Sequence, residues 1–466
     1  MHSLCFLSET EVESIHQATL RILEEIGIIL THAYARGMLI DMGATMNKGR
    51  VCIPPTLVED CLAKCPSRLT LTGRGSKTVV LGDGSLHFHN LGGARDIFDP
   101  STGQKRFATL RDVRDATRLL NALGACDSIT PFFTPIDVPG ELMSLAMYRA
   151  AIPCTTKPLH GPGLQTAPEV RMAARLAEVI GDPVKLLTLS VSPVSPLTFP
   201  DHQVDAILEI ARQGIPFGPL PCPTGGTTAP CSISGAIAQQ NAEVLASLVL
   251  AQLIHPGLPI FYCGRLAMME PRTGISVWGG AELGLASAGT VQIGHRYHLP
   301  VNVYGFSTNS LLPDVQNGFE RALNAAIPAL AGADELSGIG EMEAGVMGSL
   351  AQMVLDNEFA GSIQRLRKGF SASEDALAID VLAAAMDGAR NFLAQKHTAR
   401  YLKSGEIMIT KLAERNPWEA WEKGGKHTML ERAQAEAERI LDQSEVPPLE
   451  AAQEKELDRI LESSLM

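Results

Sequence analysis

From residue 129 onward, short apolar runs alternate with longer amphipathic ones, and this alternation restricts the fold more than any other feature of the sequence. The runs 129–134, 152–159, 186–192, 215–220, 259–264, 301–306 and 335–339 read as strands. Between and after them, 143–150, 168–180, 204–212, 234–254, 281–297, 318–331 and 347–363 carry apolar residues at helical spacing. Regular strand–helix alternation means parallel βαβ units, because each crossover must carry the chain back to the same end of the sheet. Seven units in succession fit a closed (β/α)8 barrel of the TIM type, an α/β fold. The eighth strand comes either from 85–90 or from the chain after Gly369. An open doubly wound sheet would call for a G-x-G-x-x-G turn after an early strand, and none stands in that context.

The flanks differ from this core. Residues 7–30 read as an amphipathic helix, with Ser8 and Glu11 as a capping box and Gly27 as its end. A second short helix is expected at 55–63, followed by short Gly-separated β runs over 69–98. The reading is therefore a helical and β-meander cap over 1–105, a barrel core over 106–370 and a helical extension over 371–466. In the extension, 428–441 carries mixed charges at i,i+4 spacing, as a solvated helix face does.

Composition excludes several classes. Fifty-one acidic residues against 39 basic ones leave a formal charge of −12, and no Lys/Arg run supplies the basic face of a nucleic-acid binder. The longest apolar stretch, 244–254, is interrupted by Ser247 and Gln252 and is too short to span a bilayer. The acidic start at Glu9, Glu11 and Glu13 does not suit a signal peptide, so a cytoplasmic protein is expected. The nine cysteines are scattered, and Cys61 and Cys65 have no second pair or nearby His to complete a zinc site. Reduced core thiols are the expectation. An acidic barrel of this size is also expected to form a homo-oligomer.

In a barrel the active site is built from the loops that follow the strands. Here those loops (192–196, 221–226, 264–269, 306–318 and 338–345) are rich in Gly, Pro, Ser and Thr and poor in His, Asp and Lys. A hydrolase would display acid–base groups or metal ligands there. The exception is His87-Phe88-His89, whose two imidazoles share a strand face. A metal-dependent hydrolase could start from that pair, with Lys157, His160 or Asp137 as further ligands. The alternative is two histidines in a half-buried strand, and no catalytic metal is expected.

Several segments carry a resemblance. They include LSETEVESIHQATLRILEEIGI, DPSTGQKRFATLRDVRDATRLL, GGTTAPCSISGAIAQQNAEVLASLVLAQLIHPGLPI, YHLPVNVYGFSTNSLLPDVQNGFERA and GADELSGIGEMEAGVMGSLAQMVLDNEFAGSIQRL. In order and over nearly the whole chain, the sequence resembles the trimethylamine methyltransferase superfamily, corrinoid-dependent enzymes that demethylate methylated amines on a (β/α)8 barrel. The trimethylamine enzymes carry pyrrolysine after the Gln of the loop written here PDVQNG, where this chain has Asn317 after Gln316. Glu243 matches a glutamate that contacts pyrrolysine in those enzymes. The resemblance thus implies the non-pyrrolysine branch, whose known members act on quaternary amines such as glycine betaine, proline betaine and carnitine. It also implies a cognate corrinoid protein as partner, with Co(I) as methyl acceptor and no cofactor tightly bound to this chain. No Asp-x-His-x-x-Gly run that could place a histidine on cobalt is found.

The chemistry agrees with that branch. A quaternary ammonium leaves as a neutral amine, so its demethylation requires no acid, covalent adduct or metal. The enzyme must hold the cation, aim one methyl group and exclude water. Asn317, Gln316 and Glu243 are the candidate catalytic residues on this resemblance. Aromatic faces bind quaternary ammonium groups, which makes Phe133, Tyr262 and Phe306 candidates, with Phe132 and Tyr304 nearby; core packing is the alternative for each. A betaine carboxylate needs a donor, and Arg265, Arg95 and His160 compete for that role.

Overall fold

In the computed structural model, which describes residues 4–75, 77–161 and 164–463, the strand segments pair in parallel and close on themselves. In order they are His87–Asn90, 128–129, Leu159–His160, Leu187–Val191, Phe217–Pro219, 260–262, Asn302–Tyr304 and Glu335–Ile339. Each pairs with the next, and the last returns to the first through Glu335 opposite His87 and Leu336 opposite Phe88. This is the (β/α)8 barrel. One helix follows each strand in turn: Leu110–Ala122, Met143–Ala151, Ala167–Glu178, Asp201–Gln213, Ile233–Ile254, Ala281–Arg296, Val315–Ala331 and Leu350–Lys368.

The structure corrects three expectations. Pairing with Glu335–Ile339 requires His87–Asn90 as the first strand, so the barrel begins inside the region expected to be a cap, and the boundary at 105/106 does not mark its start. The run 152–159 is not a strand. Ile152–Cys154 forms a 3-10 turn and only Leu159–His160 pairs, because Pro153 and Pro158 have no N–H to give a ladder. The seventh helix begins at Val315 rather than Gly318, because the Asp314 side chain caps it by accepting from the Asn317 N–H.

The N-terminal helix Glu9–Arg21 has the Ser8–Glu11 capping box, then widens over Ile22–Ile26 and ends at Gly27. It lies against the fifth barrel helix, where the Asn241 amide donates to Thr19 Oγ1 at 2.9 Å. The hairpin Leu69–Thr72/Thr78–Leu81 plugs the N-terminal end of the barrel, with Leu69, Leu71, Val79 and Leu81 packed on Phe261 and Cys263. Gly218 makes room inside: a Cβ there would stand 2.3 Å from the Phe261 ring. In the extension, helix Met429–Gln443 is not solvated all round but buries Ala433, Ala437 and Ile440. Helix Ala451–Ser463 is pinned to the barrel by Arg149, which pairs with Glu454 at 2.6 Å and Asp458 at 2.8 Å. Among the described residues no helix is long and apolar enough to cross a membrane.

Candidate active site

Barrel interiors are usually filled by branched aliphatic side chains. This one is polar. Side chains from strands that are not neighbours meet one another, which only the lumen allows. Glu335 of the eighth strand accepts from Ser128 Oγ of the second at 3.0 Å, from His160 Nε2 of the third at 3.0 Å and from Asn302 Nδ2 of the seventh at 2.5 Å. Burial pushes the Glu335 carboxyl up, but the electrostatic pull of His160 and His89 and the hydrogen bonds from His160 and Asn302 outweigh it and hold Glu335 far below the usual carboxylate range. His160 Nδ1 meets the Thr188 hydroxyl, and the His89 ring lies 4.6 Å from the His160 ring.

Asn302 fixes the proton on His89. Its Oδ1 accepts from Arg265 Nη2, so its amide nitrogen faces Glu335 and His89. The remaining amide hydrogen is donated to His89 Nε2 at 2.9 Å, and the His89 proton therefore sits on Nδ1. That Nδ1–H is buried and has no partner. Burial, first of all, drops the His89 pKa to about 3, so the ring is neutral near pH 7.

Above this layer Arg265 enters the lumen. Its Nη1 donates to the Asn302 carbonyl at 2.7 Å and its Nη2 to Ser337 Oγ at 3.2 Å, and its guanidinium lies 4.7 Å from the centre of the Tyr304 ring. Trp278 meets Tyr304 nearly at right angles, 83° at 5.2 Å, and the two form an aromatic corner. Tyr304 and Cys222 keep accessible surface. The surrounding protein nonetheless opposes their ionisation, pushing the Cys222 thiol up to about 12 and the Tyr304 phenol well above its ordinary value. Both stand at the C-terminal end of the barrel, Tyr304 at the end of the seventh strand and Cys222 just past the fifth.

Glu341 stands just past the eighth strand and is 1% exposed. Its Oε1 accepts from the Ser307 hydroxyl, while Oε2 is buried without a partner. Behind it, fully buried Arg321 pairs with Asp356 at 2.9 Å, donates to Asn317 Oδ1 at 2.8 Å and reaches the Glu341 carbonyl.

Of the sequence candidates, the fold brings Arg265 and His160 together in the lumen. The others go elsewhere. Tyr262 faces outward and its hydroxyl donates to Asn241 at 3.0 Å, because alternate residues of the sixth strand leave Phe261 and Cys263 inside. Phe133 packs on Phe132 at 4.6 Å, and Phe306 packs on Phe88 at 5.7 Å; both are core. Arg95 is an exposed side chain paired with Asp96 at 2.9 Å. Gln316 lies on the exposed side of its helix and donates to Glu320 at 2.9 Å. Glu243 anchors the loop after the fourth strand by accepting from Ser195 Oγ at 2.7 Å and the Leu197 N–H at 2.8 Å, and burial raises its pKa. Asn317 is buried in the first turn of the seventh helix, with its oxygen on Arg321 and its Nδ2 unpartnered.

The two histidines of the H-x-H pair part company. His87 pairs with Asp127 at 3.3 Å, while His89, His160 and Glu335 bring their ligand atoms within 4.8 Å, a group that could hold a metal ion. The other suggested ligands are elsewhere: Lys157 donates to the Leu120 and Leu123 carbonyls, and Asp137 accepts from the Leu110 N–H.

Sequence reasoning missed Glu335, Asn302, Thr188, Ser337 and Glu341. The first four stand on strands buried on both faces, where a polar residue at every second position marks the lumen side. That signal was present. Glu341, on the two-residue strand Glu341–Met342 just past the barrel strand, gave none.

The sequence as a whole has known relatives. A family model described as Trimethylamine methyltransferase (MTTB) matches residues 1–463. The chain is 31% identical over 455 residues to a trimethylamine methyltransferase of Desulfitobacterium hafniense, covering 96% of this chain and 91% of that one. It is 30% identical over 466 residues to a glycine betaine methyltransferase of the same species, covering 98% and 95%. Among solved structures, the monomethylamine methyltransferase of Methanosarcina barkeri superposes with a TM-score of 0.54 at 15% identity, over 92% of this chain and 86% of that one. That last likeness concerns the fold.

Proposed function

The chain belongs to the trimethylamine methyltransferase family and is a methyltransferase, and from that premise we propose that its donor is a quaternary amine, glycine betaine first, and its acceptor the Co(I) of a separate corrinoid protein. The observation that carries the donor class is the lumen guanidinium of Arg265 beside the Tyr304–Trp278 corner. A guanidinium binds a carboxylate through charge-assisted hydrogen bonds, and an aromatic corner receives a trimethylated cation. The unpartnered His89 Nδ1–H is a further donor in the same lumen. Proline betaine, carnitine and other trimethylated zwitterions share this chemistry.

The corrinoid supplies the nucleophile. The residues of this chain bind, orient and exclude water. The bond that breaks is N–CH3, and its electron pair stays on nitrogen, so the donor leaves as a neutral tertiary amine without needing a proton. Asn317, where an adduct-forming residue would stand, can only exchange hydrogen bonds. A corrinoid-protein partner is supported by the rim of the mouth. Ile136, Val194, Ile275, Leu311 and Leu312, on loops after the second, fourth, sixth and seventh strands, and Val315 at the start of the seventh helix are 49–88% exposed. Exposed apolar rims of this kind mark interaction surfaces. Self-association is supported separately by exposed Phe370, Leu393 and Ile409 in the extension.

The test is methyl transfer to free Co(I) cobalamin from a panel of methylated amines. Glycine betaine is expected to exceed trimethylamine by at least about a hundredfold, the upper end of what a carboxylate anchor supplies. Comparable rates for the two would overturn the assignment.

A further inference from the structure

We infer that residues 370–410 of the helical extension form an arm that pairs with the same arm of a second copy of this chain around a two-fold axis, the helix Ile379–Asp387 of each copy seating in an apolar groove of the other. The inference rests on the self-association reading above, gives it a surface, and is independent of the donor.

The arm has helices but no core. Among the described residues of 370–410, Ala385 alone is buried. Ordering a segment costs conformational entropy that burial must offset, and here the apolar side chains point away from the protein. In helix Ile379–Asp387 the inward face carries Val381 and Ala385. Ile379, Leu382 and Met386, at i, i+3 and i+7 on another face, are 67%, 49% and 57% exposed. The same arm holds a groove lined by Phe370, Ala376, Tyr401, Leu402 and Ile407, along helix Lys396–Lys403. Tyr401 is fixed there, its hydroxyl donating to Asp375 at 3.1 Å and its ring stacked on His397 at 4.2 Å. The exposed stripe is no part of that lining, so each copy offers a stripe and a groove that it does not fill itself.

The charge pattern selects the occupant. From 371 to 389 the charged residues are Glu374, Asp375, Asp380 and Asp387, all acidic. From 390 to 403 they are Arg390, Lys396, Arg400 and Lys403, all basic. Asp375 pairs with Arg400 inside the copy. Asp380, Asp387, Arg390, Lys396 and Lys403 make no ion pair among the described residues. A partner of one sign would match half of the arm and oppose the other half. A second copy, turned about a two-fold axis, sets acidic half on basic half twice.

Location and size agree. The arm is rooted where the eighth barrel helix ends, Lys368 Nζ donating to the Ser404 carbonyl at 2.9 Å and Arg365 Nε to the Glu406 carbonyl at 2.8 Å. That helix runs back from the mouth, so the root lies at the opposite end of the barrel, and a carrier that brings cobalt to the mouth leaves the arm uncovered. A standard interface takes roughly 20–30 residues a side, and residues 370–410 supply that by themselves.

The experiment is analytical ultracentrifugation of the full chain at low and at high salt. Wild type is expected to sediment as two copies or an even multiple. Leu382→Glu is expected to keep its helix content by circular dichroism and to dissociate at least about a hundredfold more readily, since it sets an unpaired charge in the stripe. Asp380→Lys and Lys396→Glu are each expected to weaken association about tenfold at low salt, and the double variant to recover most of it. Neither residue has an ion pair within its copy, so a local structural role would not produce that recovery. Single variants without effect, or a double variant without recovery, would overturn the inference. If Leu382→Glu does not fold, these charge reversals decide alone. A monomeric wild type would bring down self-association and this inference with it, whereas an assembly indifferent to every variant would bring down the arm only. Loss of binding to a corrinoid protein in Leu382→Glu would assign the arm to that carrier and overturn the inference as well.

Discussion

His160 and Glu335 are 175 residues apart in the chain and 3.0 Å apart in the barrel lumen. Their contact joins the third strand to the eighth across the axis and sets the polar floor on which Arg265 rests. Asn302 links the two levels, donating to Glu335 and accepting from Arg265. Positions of the donor-binding groups above thus depend on protonation and packing below.

That floor has a pH signature. The folded chain keeps His89 neutral, with its pKa near 3, whereas an unfolded chain takes up a proton below about pH 6.5. Between those values the unfolded state binds more protons, so this contribution to stability is present above about pH 6.5 and is lost as pH falls. The slope from one such group is at most about 1.4 kcal/mol per pH unit. Thermal unfolding between pH 7 and 5 is expected to show Tm falling with pH in wild type and a flatter profile in His89→Asn. An equally steep profile in the variant would contradict the assignment; the buried carboxyls Glu341 and Asp356, raised to about 7 and about 6, titrate in the same window with the opposite sign and are common to both proteins, so the difference between the two profiles is what reports His89.

Replacing Arg265 separates the two ends of the donor. Arg265→Gln is expected to weaken glycine betaine binding by about 1.5–3 kcal/mol, roughly tenfold to a hundredfold, the range for a charged hydrogen bond. Tetramethylammonium, which has no carboxylate, is expected to lose little. Calorimetry on both ligands measures the difference, and parallel losses would show that the variant had damaged the whole lumen.

Glu243 and Asn317 act through their neighbours. Glu243→Ala leaves Ser195 Oγ and the Leu197 N–H without their acceptor, and Asn317→Ala does the same to the Nε of buried Arg321. Each is expected to cost about 1–3 kcal/mol of stability by urea unfolding. Full stability of either variant would refute its anchoring role.

The lumen histidines are expected to work without a metal. The Glu335 oxygens are occupied by three donors, and His89 Nε2 by the Asn302 amide. An ion held by His89, His160 and Glu335 would have to displace those bonds with the Arg265 charge close by. Elemental analysis of purified protein is expected to find no stoichiometric zinc, and chelators are expected to leave methyl transfer unchanged. Zinc lost together with activity would reverse this and point to a metal-dependent site instead.

The strand–helix alternation was legible in the sequence because it is local: apolar period and capping residues such as Ser8 with Glu11 act within a few positions of each other. The helices therefore lie close to where their patterns put them, and Arg265 and His160 were recognisable as candidate donors for a carboxylate, with Arg95 competing. Which strand closed the barrel was not legible, since His87–Asn90 becomes the first strand only by pairing with Glu335–Ile339. Nor was the side to which each ring points. Tyr262 and Phe261 are adjacent, yet one faces Asn241 and the other the lumen, and only the register of the closed barrel assigns them. The sequence by itself determined a βα-repeating chain with few acid–base groups in its loops. Tertiary structure alone decided that Glu335, Asn302, His89 and Arg265 form one network. Those contacts join residues far apart in the chain, and no local pattern encodes the distance between them.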